Sequence, residues 1–222
     1  IEGFEALIRW KITDGGFISP DIFIPLAEQT GCIIPLGDWI MKKSFEFIKH
    51  INSITENHYI ISINVSVAQI MQDNFLSGIN SMLYEYDIKS EFIEFEITES
   101  VLIQSFSIVK EKLSILKDAG FGLALDDFGK GYSSLSYLKM LPLTTVKLDK
   151  TFIDDITSPE MVEDIIRIAH RMGLKIVAEG VESREQYELL HRYNCDYIQG
   201  YYISIPLPEN ELLKILKLNN PI

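Results

Sequence analysis

Short runs of β-branched and aromatic residues alternate along the chain with stretches whose apolar residues recur at helical spacing. The runs at residues 1–8, 59–65, 92–97, 122–126, 145–148, 175–179 and 197–203 predict seven strands. Between them, the helical period predicts helices over 36–51, 73–86, 105–119, 159–172, 183–193 and 208–217. A further helix opens at Ser19-Pro20, a capping residue followed by proline in the first turn, and closes at Gly31. Gly120 and Gly173 end two more, because glycine reaches the left-handed conformation of a helix terminus at little cost.

Strands alternating with helices imply parallel pairing and right-handed crossovers. Two α/β architectures fit this pattern: a small (β/α)8 TIM-like barrel and a doubly wound open sheet. Seven strands are one short of a closed barrel. With no linker and no low-complexity tract, residues 1–222 read as a single domain.

Composition narrows the function more than the fold. Hydrophobic residues at 47% and charged residues at 23% are those of an ordinary globular domain. No apolar run of about 18 residues is present, so no spanning helix and no membrane contact by this domain are expected. The opening Ile1-Glu2-Gly3-Phe4-Glu5 has no secretory pattern, and Cys32 and Cys195 lack metal-type spacing. They are expected to be buried thiols of a cytoplasmic domain, which could sit in a larger, membrane-anchored signalling protein. A net charge of −12 disfavours a nucleic-acid polymer or an anionic membrane as main partner. A small phosphate ligand stays open, because bound divalent cations reverse the sign of a pocket locally.

The chemistry stands at the strand ends. Glu5 and Arg9 mark the first; Asn64 the second; Glu96, with Thr98-Glu99 beyond it, the third. Asp126-Asp127, Lys147, Glu179 and Gln199 follow at the remaining four. One acid at a strand end is ordinarily a helix cap or a solvated loop residue, and Asn64 before Ser66 also suits a turn. Lys147 and Glu96 lie within apolar runs, where a charge needs a partner. In a barrel all these ends meet on one face, where active sites sit. Glu5, Glu96, Asp126, Asp127 and Glu179 would bring five negative charges there, balanced by two divalent cations and Lys147. Oxygen-only ligands suit Mg²⁺ or Mn²⁺. Other chemistries fit poorly. Gly129-Lys130-Gly131 lacks the upstream glycine of a phosphate loop, and Gly131-Tyr132-Ser133 does not form a nucleophile elbow. His50, His58, His170 and His191 show no His–Asp pair and no metal spacing in sequence, and His170 and His191 are expected on helix surfaces.

Seven motifs in order resemble the EAL domain family: Glu5-Ala6-Leu7 with Ile8-Arg9-Trp10; Ile63-Asn64-Val65-Ser66; Glu96-Ile97-Thr98-Glu99; Asp126-Asp127-Phe128-Gly129 continuing to Leu135; Val146-Lys147-Leu148-Asp149; Ala178-Glu179-Gly180-Val181-Glu182; and Gln199-Gly200-Tyr201. The resemblance implies a modified (β/α)8 barrel whose first strand is antiparallel. It implies metal-dependent hydrolysis of cyclic di-GMP to linear pGpG, or, in members that have lost catalysis, binding of cyclic di-GMP as a silent receptor. It assigns Glu5, Asn64, Glu96 and Asp126 to a first metal, and Asp126, Asp127 and Glu179 to a second. Lys147 resembles the residue near the attacking water, and Glu99 the acid that steadies the loop after Asp127. Glu5, Asp126, Lys147 and Glu99 are thus the expected catalytic residues, and Leu7, Arg9, Gln199 and Glu182 the expected substrate contacts. The resemblance also implies a homodimer through the loop and helix around Asp127–Leu138. Ile205 departs from the family, which often has lysine before Pro206. Relatives carry an upstream helix and first strand, so the barrel is expected to lack that strand and to leave an unpaired edge beside residues 1–8.

Overall fold

The computed structural model describes residues 1–55, 57–98, 106–130, 135–154 and 159–219. In chain order the elements are β1 (Gly3–Ala6), β2 (Trp10–Lys11), β3 (Phe17–Ile18), α1 (Pro20–Thr30), α2 (Ile33–Thr55), β4 (Ile60–Asn64), α3 (Val67–Ile70), α4 (Phe75–Tyr86), β5 (Ile93–Thr98) and α5 (Phe106–Asp118). Then follow β6 (Gly122–Phe128), α6 (Leu135–Met140), β7 (Thr145–Leu148), α7 (Lys150–Asp154), α8 (Pro159–Arg171), β8 (Lys175–Ala178), α9 (Arg184–Arg192), β9 (Tyr197–Ile198) and α10 (Glu209–Asn219). None of the described helices is long and apolar enough to cross a membrane.

The chain divides into two compact units. The first comprises Ile1–Phe95, Asp118–Phe121 and the segment from Glu209 onward. Here β1 runs parallel to β4 with Glu5 opposite Ser62. Phe4 fixes β1 from beneath, its ring packing edge-on against Phe47 and Tyr59. Helix α2 supplies the core: Ile33, Met41, Phe45, Ile48 and Ile51 recur at helical spacing and are buried. Each such side chain stabilises the fold by roughly 1.5–3 kcal/mol. Helix α1 starts at Pro20 and stops at Gly31, whose φ of 76° is left-handed, as the sequence predicts. Ser19 departs from expectation: its hydroxyl donates to the Asp21 carboxylate and makes no capping bond.

The second unit comprises Glu96–Lys117 and Gly122–Pro208. Strands β6, β7, β8 and β9 are parallel neighbours in sequence order, with Lys147 opposite Val177 and Ala178 opposite Ile198. Strand β5 gives its first half to the first unit and its second half to the other. In each unit the strand order follows the chain without the reversal that a doubly wound sheet requires. Strand β1 stands at one end of the order, in keeping with the unpaired edge expected there.

Two expectations need correction. The run 197–203 is a strand only over Tyr197–Ile198. At Gly200 the chain turns back against the Val181 backbone, where a Cβ would lie 2.2 Å from the carbonyl oxygen, and Tyr202 donates its N–H to that oxygen. The second is Cys32, which is exposed; Cys195 is partly buried, and that burial pushes its thiol up to about 12.

Candidate metal centre

Consecutive side chains of a regular strand point to opposite faces, so Asp126 and Asp127 could not ordinarily serve one site. Two departures in β6 change this. The pairing with β7 shifts register between Leu125 and Phe128, and Asp127 adopts a left-handed φ of 55°. Aspartate tolerates that conformation better than most residues. The Asp127 N–H donates to Asp126 Oδ1 at 2.9 Å, tying the two acids together. Asp126, Asp127 and Glu179 each offer a carboxylate oxygen, all within 4.8 Å of one another. Glu179 is set just past β8 by its N–H, which donates to the Leu148 carbonyl at 3.1 Å.

Lys147 lies under this cluster. Every residue of β7 is buried, and the Lys147 side chain is 3% exposed. Its Nζ is 2.8 Å from Glu96 Oε2, 2.8 Å from Glu179 Oε1 and 3.5 Å from Asp126 Oδ1. Glu96 is itself 1% exposed. One buried ammonium thus serves three carboxylates, and Asp127 adds a fourth acid. The excess of negative charge at short range favours a hard divalent cation with oxygen ligands, so these residues fit the metal that the sequence predicts.

Glu5 and Asn64, expected ligands of the first unit, are brought together: Asn64 Nδ2 donates to Glu5 Oε1 at 3.0 Å. Gln199 follows β9, with its N–H on the Ala178 carbonyl at 2.8 Å and its own carbonyl accepting from Val181 at 3.0 Å. Leu7 is exposed. Arg9 is exposed too and donates to the neighbouring Ile8 carbonyl. Glu182 accepts from Lys150 Nζ at 2.6 Å. Glu99 lies outside the described residues, as do 131–134 of the segment expected to form a dimer; Leu138 of that segment is buried within the chain.

The structure adds contacts that the sequence reading missed. Lys130 bridges Asp127 and Asp149, at 2.5 and 2.9 Å. Asp149 stands directly after β7, a strand end like those of the other acids, and that placement is the signal for it in the sequence. A His–Asp pair exists after all: His170 Nε2 is 2.8 Å from Asp196 Oδ2, which also accepts the Ile176 N–H. Ile176 lies near the start of β8, at the opposite end from Glu179, so this pair ties a helix to the sheet away from the cluster. His170 itself is exposed, as expected.

Gly129 follows the acids with a φ of 106°, and a Cβ there would meet the Phe152 ring at 1.8 Å. Gly129→Ala is therefore expected to lose about 2–4 kcal/mol of stability, from left-handed strain plus overpacking. Denaturant unfolding checks this, and a loss below about 0.5 kcal/mol would show that the turn adapts freely.

Known proteins resemble this chain in sequence and in fold. Residues 1–206 match the family model described as EAL domain. Cyclic di-GMP phosphodiesterase PA2567 of Pseudomonas aeruginosa is 39% identical over 212 residues, covering 93% of this chain and 36% of that protein. An uncharacterised Synechocystis protein, sll1895, is 38% identical over 222 residues, covering 98% of this chain and 32% of that protein. The chain thus spans about a third of the length of these relatives. Among solved structures, the PaMucR phosphodiesterase in complex with c-di-GMP matches with a TM-score of 0.89 at 33% identity, covering 96% of this chain and 87% of that one. This likeness bears out the α/β, TIM-like barrel class read from the sequence.

Proposed function

The chain belongs to the EAL domain family, and on that premise we propose that it is a metal-dependent phosphodiesterase hydrolysing cyclic di-GMP to linear pGpG in bacterial second-messenger signalling. The observation that carries the proposal is the convergence of Asp126, Asp127 and Glu179 above the buried Lys147. Similarity to a named cyclic di-GMP phosphodiesterase and to a phosphodiesterase bound to c-di-GMP supports the choice of substrate.

Asp126, Asp127 and Glu179 would hold one divalent cation, Mg²⁺ or Mn²⁺. The family correspondence assigns Glu5, Asn64 and Glu96, together with Asp126, to a second. Bound cations neutralise charge developing on the phosphate and lower the pKa of water. Lys147 holds Glu96, Asp126 and Glu179 in place and keeps a positive charge beside the reacting phosphate. Arg9 contacts the phosphate; Leu7, Gln199 and Glu182 position the nucleotide; Glu99 steadies the loop after Asp127. Water adds its oxygen to one phosphorus, the bond to the 3′ oxygen breaks, and that oxygen takes up a proton. The product is linear, with a 5′ phosphate.

Incubation with cyclic di-GMP and Mg²⁺ or Mn²⁺, followed by chromatography, tests this directly. The expected outcome is pGpG that disappears in excess chelator and returns with added metal. Full activity in chelator would overturn the mechanism. Binding of cyclic di-GMP without any pGpG would identify a receptor instead.

Calcium is expected to support nucleotide binding while lowering turnover at least about tenfold, because Ca²⁺ coordinates at longer, looser distances and activates water less. Equal turnover in Ca²⁺ and Mg²⁺ would contradict this.

A further inference from the structure

Lys130 has no part in the reading above, yet its ammonium meets an acid of the candidate metal cluster. It stands three residues after Asp127, in the tight turn closed by its own N–H on the Asp127 carbonyl at 3.2 Å. Its Nζ lies 2.5 Å from Asp127 Oδ1 and 2.9 Å from Asp149 Oδ2. Asp149 is a firm anchor: its side chain is 5% exposed, and its Oδ1 accepts both the N–H and the hydroxyl of Thr151, at 2.9 and 2.6 Å. The hydrogen bonds to Asp127 and then Asp149 outweigh burial and hold the Lys130 ammonium well above the usual lysine range. The acids around the cluster thus draw on two ammonium groups. Lys147 reaches Glu96, Asp126 and Glu179; Lys130 reaches Asp127.

We infer that Lys130 is a built-in counter-ion and positioning residue, which holds the Asp127 carboxylate against the turn and weakens the affinity of the Asp126–Asp127–Glu179 cluster for a divalent cation. The inference rests on the metal reading above. Carboxylates within 4.8 Å repel one another, and the tethered ammonium offsets part of that repulsion. A cation entering the cluster meets the ammonium as a like charge and replaces what it supplied. The Lys130 side chain is 54% exposed, so it can turn toward water on its flexible stem. That exposure also limits the size of the effect through solvent screening.

The test uses the full chain and Mn²⁺ alone, followed by calorimetry at low salt without nucleotide. Lys130→Met is expected to bind Mn²⁺ about three- to tenfold more tightly than the parent. The difference should shrink as NaCl is raised. The melting temperature in chelator should fall, and the rise on adding Mn²⁺ should be larger than in the parent. Lys130→Arg keeps the charge and is expected to stay within about twofold of the parent. Lys130→Gln, measured alongside, gives the same comparison with a polar side chain should the methionine variant not fold. Mn²⁺ affinity in the neutral variants equal to or weaker than in the parent overturns the inference alone. A parent that does not bind Mn²⁺ overturns the metal reading and this inference with it.

Discussion

Asp126→Ala is expected to lower turnover of cyclic di-GMP by at least about 10²-fold, since a direct ligand decides whether the metal is held at all. Asp126 is the residue on which the local geometry converges. Its Oδ1 accepts the Asp127 N–H and lies 3.5 Å from Lys147 Nζ. It also shares the cluster with Asp127 and Glu179, and the family correspondence gives it to both metals. The same substitution should leave stability in chelator nearly unchanged, within about 1 kcal/mol, because it removes one of several mutually repelling acids as well as one hydrogen bond. Active sites commonly trade stability for function in this way. Glu5→Ala is expected to act in the same direction. Steady-state turnover in saturating Mg²⁺ and thermal melting in chelator check both halves. Activity of Asp126→Ala within about threefold of the parent would remove Asp126 from the metal site.

Much of this site was legible because charge in an apolar context demands explanation. Lys147 within Thr145–Leu148 and Glu96 between Phe95 and Ile97 were conspicuous as charges in strand runs, and they prove to be 2.8 Å apart. The strands themselves were legible where β-branched residues are buried, as in β7 and β8. The run 197–203 misled because its aromatic and β-branched composition is that of a strand, while the turn at Gly200 depends on how closely Val181 approaches. The hairpin of β2 and β3 was missed because each strand has two residues and no buried alternation to betray it. Two contacts have a structural cause that hydrophobic pattern does not carry. That Asp126 and Asp127 face one cluster depends on a register shift and a left-handed residue, and neither leaves a trace in hydrophobic periodicity. The His170–Asp196 pair joins residues 26 positions apart, which the packing of α8 against β8 and the bond from the Ile176 N–H to Asp196 bring together.

Lys147→Met is expected to be the most damaging single change to the domain, in stability and in turnover alike. Methionine nearly matches the lysine stem in volume, so packing is preserved and the loss is electrostatic. Removing one partner of a buried ionic group leaves the others uncompensated, at a cost of about 3–5 kcal/mol. Here the partners are Glu96, Asp126 and Glu179, and Glu96 is 1% exposed and cannot turn to water. The deficit should be largest in chelator. Divalent cations supply the missing positive charge, so Mg²⁺ should raise the melting temperature of the variant more than that of the parent. A charge that acts chiefly on the transition state also makes a specific kinetic prediction: turnover should fall by at least about 10²-fold, while binding of cyclic di-GMP, measured in Ca²⁺, stays within about threefold. Equal loss of affinity with turnover unchanged would make Lys147 a substrate-binding group. A variant as stable in chelator as the parent would show that the three carboxylates do not depend on the lysine for their charge balance.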